Sequence, residues 1–427
     1  MSKNCLWLTN GLHIGDTGIK RSKDDPANSR RVLSKFCCRS KQSYKDYESI
    51  DNKQLKETIL PEYSPTDHVK KLNNIEVNYE NFKNSVCRTC YDAEKTTGNS
   101  MRTSYESMYG KSDVSDGKVR LLQLSFGNFC NFKCRYCTPR FSTTWNEDTP
   151  FMQEVYDQMK DDPNRIGATY TQIVNTERQT YDIEENIVKQ LEQVDLSELV
   201  YVGVFGGEPF LSRHWQSFVE LLEKKSDVSK IRLQINSNFS IFPKPHIVKV
   251  LCKFREVDLR ASVEATGKLA EYIRSGLKWT VFEKNLDKWI DISKEHKKIR
   301  PVVHMANNAF NINKIAEFDE WITSKVMPSG AKPFFVQFVY TPEFLDLRKV
   351  LTKDQLDICI GRINNLKSDY LKRSLLPFVS KNDIYQQDLV GEFVAFNESL
   401  DEIRKEKLHD VNPELAMWMD ENVKKAM

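Results

Sequence analysis

The sequence predicts an α/β fold built on parallel strands, and three observations point to it. Six apolar runs, at 119–126, 199–205, 230–236, 257–263, 300–305 and 333–340, read as strands. After the first gap they recur every 27–43 residues with amphipathic stretches between, the rhythm of βα units and parallel pairing. Chemistry-bearing residues gather where these runs stop, and α/β sheets and barrels place their sites at the carboxyl ends of strands. Composition agrees. A hydrophobic fraction of 40% with 29% charged residues belongs to a globular chain and excludes a disordered or fibrous one. A length of 427 residues corresponds to about two to three domains.

The N-terminal part, residues 1–112, precedes the first of these strands. Met1–Trp7 lacks the apolar stretch of a signal peptide, and no apolar run reaches the roughly 18 residues of a membrane span. The expectation is a cytoplasmic protein with no membrane partner. A formal charge of +3, from 63 basic and 60 acidic residues, is too balanced to imply a nucleic-acid partner. Between Lys20 and Lys45, nine Lys/Arg residues face only Asp24 and Asp25; such a run can bind phosphates or acidic peptides, but reads most simply as a solvated loop. Ten cysteines without an export signal point to metal binding or catalysis rather than to a disulfide framework. Eight of them, Cys5, Cys37, Cys38, Cys87, Cys90, Cys130, Cys134 and Cys137, fall in the first third of the chain.

The strand 119–126 runs into Gly127-Asn128 and then Cys130-Asn-Phe-Lys-Cys134-Arg-Tyr-Cys137. This C-x3-C-x2-C run suits an iron–sulfur cluster better than zinc. Structural zinc takes two ligand pairs, whereas here three thiols crowd into eight residues with no pair downstream. Three ligands on a four-iron cube leave one iron open to bind something else. The next gap is long, with helices expected over Phe151–Met159 and Ile183–Val194, and an insertion at this point can shape access to the site.

The strand 199–205 is followed by Gly206-Gly207-Glu208-Pro209, the strand 230–236 by Asn236-Ser237-Asn238, and the strand 257–263 by Ser262-Val263-Glu264-Ala265. Together with the cysteine run, in this order and each at a strand end, these segments resemble the radical SAM enzymes. The family's cysteine motif is matched by Cys130, Cys134 and Cys137, and its Gly-Gly-Glu-Pro motif by residues 206–209. The resemblance implies a partial (β/α)6 barrel of parallel strands, a [4Fe–4S] cluster and S-adenosylmethionine (SAM). Glycines 206 and 207 let backbone approach a ligand closely, and their carbonyls with Glu208 can meet the SAM ammonium. Asn236 and Ser237 can bond the ribose or simply form a turn; Asn238 stands where relatives often carry glycine. The resemblance gives Ser262 a ribose contact. Arg274, in Glu271-Tyr-Ile-Arg274-Ser-Gly276, can clamp the SAM carboxylate or be a solvated helix arginine. His304, on the fifth strand, reads as a hydrogen-bonded core residue.

The N-terminal cysteines resemble a twitch (half-SPASM) module, which in related enzymes carries an auxiliary [4Fe–4S] cluster, although such modules more often follow the barrel. Its ligands would be Cys5, Cys38 or Cys37, Cys87 and Cys90. A zinc site using the same thiols stays open, as does no metal at all. Cys252 and Cys359 read as small buried apolar residues. After Tyr340 the pattern turns helical: Thr352-Lys-Asp-Gln355 reads as a capping box, Leu356, Cys359, Ile360 and Ile363 form one stripe, and Asn412-Pro413 starts a helix that buries Leu415, Trp418 and Met419. The expected partition is a cysteine-rich module over 1–112, a radical SAM barrel over 113–342 and a helical segment over 343–427.

By resemblance, one electron from a donor such as flavodoxin or ferredoxin reaches the cluster and breaks the S–C5′ bond of SAM. The resulting 5′-deoxyadenosyl radical takes a hydrogen from a peptide or protein substrate. A small-molecule or nucleotide-related substrate, and a non-catalytic zinc or iron–sulfur protein, are the alternatives. No residue is assigned as catalytic acid or base.

Overall fold

The computed structural model describes residues 11–16, 32–35, 100–109, 119–139, 141–159, 188, 191–192, 194–329, 332–339, 342–380 and 389–426. They fall into two compact units that interleave along the chain. The first gathers 1–127, 181–235 and 243–258; the second gathers 128–180, 236–242 and 259–427.

The first unit is a sheet with helices. Strands β1 (Gly11–Asp16) and β2 (Val32–Lys35) pair antiparallel. β1 also pairs in parallel with β3 (Leu121–Ser125), β3 with β4 (Tyr201–Phe205), and β4 with β5 (Arg232–Ser237). Leu121, Leu122, Leu124, Val202, Val204, Leu233 and Ile235 are all sealed from solvent. Near-continuous burial is what a parallel strand needs when both its faces are covered. Helix α1 (Met101–Tyr109) sets Tyr105 edge-on to Tyr201, with ring centroids 5.3 Å apart. Helix α3 (Trp215–Lys225), which follows α2 (Thr149–Met159) of the second unit, buries Trp215, Phe218, Val219 and Leu222. Phe126 meets Trp215 and Phe218 edge-on at 5.9 and 5.4 Å. Sequence reasoning missed β1 and β2; β1 is a short Gly-Leu-His-Ile-Gly-Asp stretch whose glycines weaken the strand signal.

The second unit holds the cysteine loop, α2, the end of β6 (Glu256–Ser262), β7 (Ile299–Asn307) and β8 (Lys332–Phe338), the last two paired in parallel. Val263 N–H donates to His304 O at 2.9 Å, tying the end of β6 to β7. Burial alternates along β7, with Ile299, Pro301, Val303, Met305 and Asn307 inward; His304 is half-buried on the other face. In chain order the remaining helices begin with α4 (Pro245–Leu251, of the first unit), α5 (Gly267–Ile273), α6 (Trp279–Glu295) and α7 (Ile315–Trp321). Helix α6 presents Phe282, Leu286, Trp289 and Ile290 as one buried face at helical spacing.

The C-terminal helices are α8 (Leu347–Val350), α9 (Lys353–Asn364), α10 (Asp369–Val379), α11 (Val390–Arg404), α12 (Leu408–Val411) and α13 (Pro413–Ala426). The capping box forms as expected: Gln355 N–H donates to Thr352 Oγ1 at 3.1 Å, and Thr352 N–H to Gln355 Oε1 at 2.9 Å. Asn412 caps α13 through Leu415 N–H at 3.2 Å, and Leu415, Trp418 and Met419 are buried. Cys359 is sealed, with burial pushing its thiol up to about 12. Cys252 departs from expectation. The helix ends at Leu251, so Cys252 is the cap residue and only half-buried.

The six expected strands are all present, with ends within two residues of those expected. Of the helices expected in the long gap, Phe151–Met159 lies within α2, whereas Ile183–Val194 falls largely outside the described residues. Thr352→Ala removes a cap from an otherwise exposed helix start, which costs about 1 kcal/mol. A thermal melt lowered by a few degrees checks it.

Candidate active site

The cysteine loop is anchored within the second unit by bonds to its backbone. Lys133 N–H donates to Ser275 O at 2.9 Å and Arg135 N–H to Ile273 O at 2.8 Å, so Cys134 is bracketed on both sides. Trp145 Nε1 donates to Cys134 O at 2.9 Å, and Thr144 Oγ1 to Cys130 O at 2.6 Å. Ser142 Oγ donates to Phe132 O, and Asn128 Nδ2 to Pro139 O at 3.1 Å. Buried carbonyls need such donors, and here four side chains supply them. Gly276 packs against the loop. With φ at +105°, an added Cβ would lie 2.9 Å from Asn131 O, so only glycine permits this approach.

Cys130, Cys134 and Cys137 are thiols outside any disulfide; Cys134 is buried and the other two half-buried. Burial raises the Cys134 thiol, with Arg274 partly offsetting it. Burial also raises Cys137 well above its ordinary value, and the neighbouring thiolates of Cys134 and Cys130 add to this. Among the described residues no three Cys, His, Asp or Glu side chains are grouped closely enough to hold a metal ion. A four-iron cube carries each thiolate on a separate iron, so it holds its ligands further apart than a single ion does.

Asn238 Nδ2 approaches Cys130 Sγ at 3.9 Å and donates to Asn131 Oδ1 at 3.0 Å. Ser237 Oγ accepts from Phe239 N–H at 3.1 Å, and Asn238 Oδ1 accepts from Ser240 N–H at 2.9 Å. The Asn236-Ser237-Asn238 segment thus makes a turn. The sequence placed the glycine-like position at Asn238, but the left-handed residue is Phe239, at φ +55°. Its strain is held by a sealed ring, 6.0 Å from that of Phe282, and by Asn285 Nδ2 donating to Phe239 O at 2.8 Å. Asn236 and Ser262 are half-buried at the ends of β5 and β6.

Arg274 is neither a solvated arginine nor an open clamp. Its Nε donates to Glu264 Oε2 at 2.5 Å and its Nη2 to Glu264 Oε1 at 2.8 Å, with both side chains buried. Burial opposes its charge, but Glu264, with Tyr136 and Cys134, more than offsets this and holds the guanidinium above its ordinary value. Arg274 also stands 5.4 Å over the ring of Tyr136, whose hydroxyl is buried.

In the first unit, Gly206 and Gly207 turn the chain at φ +79° and +51°. An added Cβ on Gly206 would collide with Ser125 Oγ at 1.9 Å. Glu208 is buried, and its Oε1 accepts from Phe210 N–H at 3.1 Å; Pro209 begins a short 3-10 turn. The expected auxiliary ligands Cys5, Cys38 or Cys37, Cys87 and Cys90 lie outside the described residues.

Three thiols on one braced loop, which Gly276 approaches closely for want of a side chain, suit an iron–sulfur cluster. Residues 124–318 match the family model described as the Radical SAM superfamily, a span that includes the cysteine loop and all the strand-end segments above. This span is a radical SAM domain, the domain of an enzyme. Among solved structures it is similar to Streptococcus suis SuiB bound to precursor peptide SuiA, at 15% identity and TM-score 0.38, covering 71% of this chain and 54% of that one. It is also similar to anSMEcpe with bound AdoMet, at 16% identity and TM-score 0.34, covering 52% and 51%. TYW1 with a lysine-pyruvate adduct bound is similar at 16% and 0.29, covering 55% and 68%. The chain spans about half the length of the SuiB and anSMEcpe structures. Comparison with curated proteins found no match.

Sequence reasoning missed Glu264 as the partner of Arg274, and Trp145 and Thr144 as supports of the loop; a lone tryptophan in a polar stretch was the available signal for the second. Arg274→Leu strands a buried carboxylate and destabilises by roughly 3–5 kcal/mol. Glu264→Gln combined with Arg274→Met is expected to cost less than Arg274→Leu alone, as measured by urea unfolding. Gly206→Ala is expected to lower the melting temperature, with Ser125→Gly restoring only part of the loss, because the clash is relieved but the positive φ is not.

Proposed function

We propose that this enzyme binds a [4Fe–4S] cluster through Cys130, Cys134 and Cys137 and cleaves SAM reductively to abstract a hydrogen from its substrate. The observation that carries this reading is the set of three thiols on one short, fully supported loop inside the span that matches the radical SAM model. When bound, the cluster and SAM supply a one-electron reductive cleavage of the S–C5′ bond. The chain's own residues position and shield. The Cys130–Cys137 loop presents the thiols, and Trp145 and Thr144 hold its carbonyls. The Gly206-Gly207 turn offers backbone to the amino-acid end of SAM, with Glu208 beside it. Asn236, Ser237 and Ser262 stand at strand ends for the ribose. Arg274, committed to Glu264, keeps a positive charge buried beside Cys134 and Tyr136 rather than reaching for a carboxylate alone.

In this proposal residues 113–342 form a partial barrel, 343–427 a helical segment, and 1–112 a cysteine-rich module with an auxiliary [4Fe–4S] cluster on Cys5, Cys38 or Cys37, Cys87 and Cys90. The substrate is a peptide or protein, a reading supported by the resemblance of the N-terminal cysteines to such a module. A flavodoxin or ferredoxin supplies the electron, and the setting is the cytoplasm.

After anaerobic reconstitution, iron and acid-labile sulfide are expected above four each per chain if both clusters form, and near four if only the first does. With dithionite and SAM the wild type is expected to release 5′-deoxyadenosine, and Cys134→Ala to release none above background. Wild-type cleavage by Cys134→Ala would overturn the cluster assignment. SAM labelled at C5′, offered with candidate peptides or small molecules, reports the substrate class by label exchange.

A further inference from the structure

Arg135 lies between Cys134 and Cys137, and its side chain is sealed from solvent. Its Nε donates to Tyr272 O at 3.1 Å, and its guanidinium lies over the Tyr272 ring, 3.6 Å from the centroid. The rest of the fork reaches the C-terminal segment of the same unit. Nη1 donates to Asn397 Oδ1 at 3.2 Å, and Nη2 to Asp401 Oδ1 at 2.5 Å and Glu406 Oε2 at 2.8 Å. The acceptors are themselves placed. Asn397 Nδ2 donates to Phe393 O at 2.7 Å, Asp401 Oδ2 accepts from Leu408 N–H at 2.9 Å, and Glu406 Oε1 accepts from Ser275 Oγ at 3.2 Å. Helix α11 ends with Lys405 in the left-handed conformation at φ +55°, a turn that brings Glu406 back beside Asp401.

A second contact joins the same parts. Arg404 Nε donates to Asp148 Oδ2 at 2.8 Å, and Asp148 Oδ1 accepts from Lys133 Nζ at 2.7 Å. The Arg404 guanidinium stands 4.9 Å over the Trp145 ring, which stacks on Phe396 at 6.4 Å and whose Nε1 holds Cys134 O. Both residues flanking Cys134, and the tryptophan that holds its carbonyl, are therefore tied to α11 and the turn after it.

We infer that Arg135 is a positioning residue through which the C-terminal segment sets the geometry of Cys134 and Cys137, so that cluster retention depends on residues Asn397, Asp401 and Glu406, more than 250 residues further along the chain. This rests on the cluster reading of the preceding section. A buried guanidinium with five donors in a rigid fork holds several acceptors at once; an ammonium does not reproduce that geometry. Partners that orient a metal ligand are worth about 10- to 100-fold in metal affinity when lost.

The test compares full-length wild type, Arg135→Lys, Glu406→Gln and Arg362→Lys. The last is a control. Arg362 pairs with Glu414 at 2.5 Å across α9 and α13 and touches no residue of the cysteine loop. Each protein is reconstituted anaerobically and challenged with a chelator, and cluster lifetime is followed by absorbance, iron content and electron paramagnetic resonance. Thermal melting of the apo forms reports the fold. Arg135→Lys and Glu406→Gln are expected to lose cluster about tenfold faster than wild type, while Arg362→Lys melts lower but keeps its cluster as long. Equal lifetimes in all four proteins would overturn this inference alone. A shortening that is as large in Arg362→Lys would also overturn it, since general destabilisation then suffices. A wild type that takes up no iron would overturn the cluster reading and this inference together.

Discussion

A loop of eight residues carrying three thiols cannot lie against a protein core unless its carbonyls, amides and neighbouring charges find partners inside the fold. That requirement shapes much of the second unit. Ile273 and Ser275 receive amides from either side of Cys134, Trp145 and Thr144 donate to its carbonyls, and Gly276 yields the space of a side chain so that residues 131–132 can approach. The segment after β6 serves this loop twice over. Its backbone pairs with the loop, and its Arg274 turns inward to Glu264 beneath Cys134 and Tyr136. An ion pair buried this deeply offers little net stability over an apolar pair. It does fix a positive charge near Cys134 and Cys137, where thiolates must form if metal is to bind.

Strain is found where polar strand ends must turn without leaving the core. Phe239 takes a left-handed conformation that a glycine would adopt freely, and its sealed ring and the Asn285 bond to its carbonyl compensate. The bulky residue anchors the turn from below, leaving Asn238 to face Cys130 and Asn131. At β4 the same need is met differently. Gly206 lies so close to Ser125 that no side chain fits, and Glu208, rather than projecting into solvent, caps the short turn that follows.

The strands and the cysteine run were legible because their signals are local. Apolar runs such as Leu121–Leu124 and Val202–Val204 read directly as buried parallel strands, and the C-x3-C-x2-C spacing is complete within eight residues. The caps at Thr352 and Asn412 were legible for the same reason, since a cap is a contact between residues three apart. What was not legible involved distance. Arg274 offered both a ligand clamp and a solvated arginine to the sequence reader, and only folding showed a carboxylate ten residues upstream claiming it. Strands β1 and β2 escaped because short glycine-bearing segments carry almost no periodic signal, and it is pairing with β3 that makes β1 a strand.

By itself the sequence determined the parallel α/β class, the order of the strand-end segments and the presence of a three-thiol loop, because each is written in residue spacing that survives in an extended chain. Tertiary structure alone decided which charges are spent on one another. The pairing of Arg135 with Asp401 and Glu406, and of Arg404 with Asp148, joins residues that no local pattern relates. A buried guanidinium is tolerated only where acceptors converge from separate elements, and that convergence exists only once the chain has folded.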